Sequence, residues 1–144
     1  MTRSHADSCD ADDVSTHFLL FLCALHSAAL GVFHLCFWRL FDWKRALATL
    51  DRPNRAIVQI LNLRLTFVFF AVAALCLLYP EALATTPLGR ALLVVMVLFW
   101  VGRTIEQFVF LRGLRHPAVH VLTAVFVLGA VLFALPLWLV TPAA

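Results

Sequence analysis

The sequence predicts an all-α polytopic membrane protein, with four transmembrane helices in an up-down bundle and a short interfacial helix after the first span. Three observations carry this. Of 144 residues, 63% are apolar and 13% charged, against about 45–50% and about 25% in soluble domains. The apolar residues fall into four runs, each near the roughly 20 residues that cross a bilayer. Basic residues collect in two of the three connections, as the positive-inside rule requires of cytoplasmic loops.

Residues 1–16 hold Asp7, Asp10, Asp12 and Asp13 against Arg3, which reads as a disordered acidic tail ahead of a four-helix domain over 17–140. Phe18–Leu25 followed by Ser27-Ala28-Ala29 imitates a signal peptide. The acidic start and the apolar run continuing to Trp38 favour a retained first span over 17–38. Next, Leu40, Trp43, Leu47 and Leu50 recur on one helical face, with Asp42, Lys44 and Arg45 away from it. That pattern predicts an amphipathic helix in the interface, Phe41 and Trp43 at headgroup level, or else an extension of the first helix.

Asp51-Arg52-Pro53-Asn54 reads as a stop and restart, since proline suits the first turn of a helix and Asp or Asn caps it. The second span is expected over 56–79, with Gln59, Asn62 and Arg64 in its early part and Pro80-Glu81 at its end. Thr85-Thr86-Pro87 repeats the capping logic before a third span over 88–111. Arg112 to Pro117 is a tight connection in which Gly113 ends the helix. The fourth span, 118–140, carries His120 near its start and Pro136 near its end, where proline kinks or stops the last turn.

The first connection holds Arg39, Lys44, Arg45, Arg52 and Arg55, and the third Arg112 and Arg115; the opposite side has Arg3 and Arg90. The first and third connections are therefore expected in the cytoplasm and both termini in the periplasm of a bacterial inner-membrane protein. Cys9, Cys23, Cys36 and Cys76 form no C-x-x-C pair, so they read as small hydrophobes and not as a zinc or disulfide framework.

This orientation places His34, Gln59, Asn62, Arg103, Glu106, Gln107 and His120 in the inner-leaflet half of the spans. Arg103, Glu106, Gln107 and Phe110 share a helical stripe, and Gln59, Asn62 and Thr66 another. Arg64 points away from the second stripe and needs another partner or must snorkel. The expected site is a buried polar cluster of Arg103, Glu106, Gln107, Gln59, Asn62, His34 and Arg64. Two plainer roles compete with it. Arg103 and Glu106 can neutralise one another, and the amides can be interhelical hydrogen-bond glue.

A binding or accessory role is expected, for an amphiphilic ligand such as a lipid or isoprenoid, or for a partner membrane subunit or second copy. Haem or metal redox chemistry on His34 and His120 is one alternative. A lipid-processing enzyme using Glu106 or His34 as acid or base is another, although no nucleophile-plus-base arrangement is visible. The sequence names no cofactor. It has no Gly-rich phosphate loop, and its basic residues flank membrane spans, so no nucleic-acid partner is expected.

His34-Leu35-Cys36-Phe37-Trp38, Trp43, Asn54-Arg55, Gln59, Asn62 and Phe99-Trp100-x-x-Arg103-x-x-Glu106-Gln107 together resemble small bacterial four-span membrane proteins. The resemblance implies four spans over most of the chain and assigns no chemistry to any residue.

Overall fold

Four helices of the computed structural model are long and apolar enough to cross a membrane: Val14–Leu35, Arg52–Leu78, Pro87–Phe110 and Pro117–Leu139. The structure describes residues 3–111 and 117–140, with side chains described from Val14 onward. The expected turn at Arg112–His116, Gly113 included, lies outside the described residues. Among those described there is no strand, and the all-α polytopic class holds.

In chain order the helices are α1 (Arg3–Leu35), α2 (Phe37–Leu40), α3 (Trp43–Ala46), a 3-10 turn (Leu47–Thr49), α4 (Arg52–Leu78), α5 (Pro80–Thr85), α6 (Pro87–Phe110) and α7 (Pro117–Leu139). The backbone is helical from Arg3, so α1 takes in most of the stretch that composition reads as tail. Its last turn tightens: the Cys36 N–H is shared between the carbonyls of Val32 and Phe33, both at 3.1 Å, a common way for a helix to close. The span thus ends three residues before Trp38.

The connection after it is helical but not one amphipathic helix. Asp42 adopts φ 42° and ψ 52°, the left-handed region that breaks a right-handed helix. Of the four apolar residues expected on one face, only Leu47 is buried. Trp43 nevertheless folds back onto α2, its ring 5.6 Å from Phe37 and 4.9 Å from Trp38. Arg55 closes the connection, donating through Nε to Leu47 O (2.9 Å) and through Nη2 to Leu50 O (3.0 Å).

The chain divides into two compact units, Ala24–Leu75 and the segments on either side of it. In the Ala24–Leu75 unit the end of α1 meets α4. Gly31 is buried against Phe70, and Asn62, Thr66, Phe69 and Ala73 form the buried face of α4. Opposite them Ile57, Ile60, Leu61, Phe67 and Val68 are exposed. Apolar exposure on this scale suits a membrane solvent.

In the other unit α6 and α7 form an antiparallel pair. Gln107, late in α6, donates to Val119 O, early in α7, while Arg90 at the start of α6 reaches Leu137 and Val140 at the end of α7. Leu93, Met96, Trp100, Phe126 and Phe133 fill this core. The expected cap is present: the Thr86 hydroxyl accepts from Gly89 N–H at 3.0 Å with Pro87 at the first position.

Candidate functional site

On α6, the Arg103 guanidinium pairs with the Glu106 carboxylate one turn later and lies 5.2 Å from the centroid of the Phe126 ring on α7. Phe126 in turn stacks on the buried Trp100, 5.8 Å away at 23°. The cation is therefore held from two directions, by a carboxylate and by an aromatic face. The pair is open, with the two side chains 40% and 50% exposed. This corrects the expectation of a buried cluster centred on Arg103: of the stripe, only Gln107 is buried, and Phe110 is 79% exposed. Gln107 Nε2 donates to Val119 O at 3.1 Å, which is the interhelical glue role.

In the Ala24–Leu75 unit, His34 and Asn62 bond reciprocally. Asn62 Nδ2 donates to the His34 carbonyl at 3.1 Å. That orients the amide so that its Oδ1 accepts from His34 Nδ1, 2.8 Å away. Nδ1 is thereby assigned as the protonated, donating nitrogen of the ring. The imidazole stacks on Phe37 at 4.3 Å and leans on Phe69 at 5.3 Å. Asn62 is buried, Gln59 half-buried and one turn earlier, and Thr66 Oγ1 donates back to Asn62 O at 2.8 Å. The structure thus joins His34 to Asn62 and Arg103 to Glu106, within separate units.

Arg64 is exposed at the centre of the apolar stripe formed by Ile57, Ile60, Leu61, Phe67 and Val68. Among the described residues none hydrogen-bonds or pairs with it. It lies 12 residues from Arg52 and 14 from Leu78, the midpoint of α4. Even with the membrane boundary set at Ala56, Arg64 stands about 12 Å inside it, at about 1.5 Å per residue. A charge at such depth costs roughly 2.5–3.5 kcal/mol on insertion scales.

Of the two candidate metal ligands, His34 belongs to the Ala24–Leu75 unit, and His120 to the other unit, exposed on the first turn of α7. Among the described residues no three His, Cys, Asp or Glu side chains gather as a metal site.

Sequence reasoning missed the arginines as carbonyl ligands. Arg90, counted only as a flanking charge, donates to Ala84 O (3.0 Å), Val140 O (2.9 Å) and Leu137 O (2.7 Å). It thereby ties α5 and the C-terminal end of α7 to α6, satisfying carbonyls that a helix end leaves open. Cys23 was also missed as a donor. Pro136 has no N–H, so the Leu132 carbonyl loses its helical partner, and Cys23 Sγ donates to it at 3.3 Å. The orphaned carbonyl four residues before a proline was the available signal. The chain matches no known family model, and no curated protein or solved structure is significantly similar to it.

Proposed function

We propose that this protein is a non-enzymatic accessory module of a membrane assembly, docking a partner membrane subunit along the exposed face of α4. Arg64 carries the reading. An arginine without a partner among the described residues, at the centre of a spanning helix and flanked by isoleucine, leucine and phenylalanine, is stabilised when another chain supplies a carboxylate or backbone oxygens at that depth. The surrounding apolar stripe supplies the packing surface, and the guanidinium supplies the register. The excess of lysine and arginine in the first and third connections supports a bacterial inner-membrane protein with those connections cytoplasmic and both termini periplasmic.

Photo-crosslinking from Phe67, 66% exposed beside Arg64 on the stripe, tests the proposal. A discrete polypeptide adduct that weakens in Arg64→Ala, and is not formed from Val95 on α6 (57% exposed), is the expected result. Only lipid adducts from both positions would refute a docked subunit and favour an amphiphile.

A further inference from the structure

We propose that the connection after α1 is a binding site for anionic phospholipid headgroups of the adjacent leaflet, built from Trp38, Trp43, Arg39, Lys44, Arg45 and Arg52. This does not rest on the docking face of α4. The connection is a folded surface, not a loose basic loop. The left-handed backbone at Asp42 turns α3 back on α2, and Trp43 seats against both Phe37 and Trp38. Arg39 on α2 and Lys44 and Arg45 on α3 therefore flank one aromatic cluster. Arg55 binds the Leu47 and Leu50 carbonyls, which holds the 3-10 turn onto the start of α4 and brings Arg52 to the same connection.

The four cations are exposed, and among the described residues none of them hydrogen-bonds or pairs with another group. Arg55 differs, because its guanidinium is occupied by carbonyls. Two carboxylates are nearby: Asp51 already accepts from Asn54 Nδ2 at 2.6 Å, and Asp42 is exposed. Four cations against two carboxylates leave a positive surface facing headgroups. The neighbouring Leu40 and Phe41, 58% and 50% exposed, offer apolar area for the upper acyl chains. Interfacial tryptophans with clustered Lys and Arg beside a span are the chemistry that holds phosphate-bearing, net-negative lipids. A zwitterionic lipid offers the same phosphate with its charge cancelled, so the surface discriminates by net charge.

Native mass spectrometry of the full chain in mild detergent, given equal phosphatidylglycerol and phosphatidylcholine, reads this directly. Phosphatidylglycerol should be retained over phosphatidylcholine by the wild type and by the charge-conserving Lys44→Arg/Arg45→Lys variant. The preference should fall roughly ten- to thirtyfold in Lys44→Gln/Arg45→Gln, and by a smaller factor in Arg39→Gln, which keeps the test open if the double variant fails to fold. Equal retention of the two lipids, or an undiminished preference in the glutamine variants, would overturn the proposal. Displacement of phosphatidylglycerol by millimolar glycerol phosphate would also overturn it, by showing a site for a soluble phosphate.

Discussion

Gly89 is the position where the smallest change should have the largest consequence. It sits in the first turn of α6, buried against α5. A Cβ there would lie inside the van der Waals envelope of the Ala82 carbonyl oxygen and Leu83 Cα, and 2.8 Å from the Ala82 carbonyl carbon. These are backbone atoms, so no rotamer change relieves the overlap. Moving that carbonyl carbon alone from 2.8 Å to ordinary contact at 3.4 Å drags α5, with its buried Leu83 and Ala84, off α6. The Thr86 cap on Gly89 N–H and the Arg90 bond to Ala84 are strained by the same movement. Overpacking costs about 1–3 kcal/mol, and a lost cap about 0.5–2 kcal/mol. Alanine's better helix propensity returns up to about 1 kcal/mol, so Gly89→Ala should destabilise by roughly 0.5–5 kcal/mol.

Two other glycines calibrate this. At Gly102 a Cβ meets nothing within 4 Å, so Gly102→Ala should be neutral or stabilise by up to about 1 kcal/mol. At Gly31 it meets the Phe70 ring at 3.0 Å, a side chain that can give way, and Gly31→Ala should fall between. Thermal melting of detergent-solubilised protein, followed by fluorescence-detected size exclusion, gives the order. Gly89→Ala melting at or above the wild type would refute the reasoning.

Two further outcomes follow from the carbonyl contacts. Cys23→Ala leaves the Leu132 oxygen without its donor and should cost about 1–2 kcal/mol; in a Pro136→Ala background, where residue 136 regains an N–H, the cost should shrink. A double-mutant cycle on melting stability should show a coupling of at least about 0.5 kcal/mol, and strict additivity would disprove the pairing of proline and thiol. Arg90→Met removes three charge-assisted bonds and should cost about 2 kcal/mol or more. Arg90→Lys, which keeps the charge but not the fork, should fall between it and the wild type in the same melts, and equal stability of Arg90→Met and wild type would deny the clamp.

Much was legible because the determining physics is local. Four apolar runs with Pro53, Pro87 and Pro117 near helix starts and the Thr86 cap specify four helices from backbone chemistry and hydropathy alone. The outward direction of Arg64 followed from helical periodicity, since it falls off the Asn62–Thr66 face. The interfacial segment was legible only as helical. Its break at Asp42 rests on an αL residue that no spacing rule marks, and its shape on Trp43 packing against residues from the preceding helix.

Composition, run length and the distribution of lysine and arginine by themselves determined the helical membrane class. The tertiary structure decided which polar groups are used and how. Gln107 became a helix–helix bond because Val119 O lies 3.1 Å from it, and Arg103 stayed half-open on Phe126. Arg90 became a clamp because three carbonyls from α5 and α7 converge on one guanidinium. Helical periodicity gives the direction of a side chain but not the identity of what stands there. Partners separated by 47 or 50 residues, as Leu137 and Val140 are from Arg90, are chosen only when helices pack.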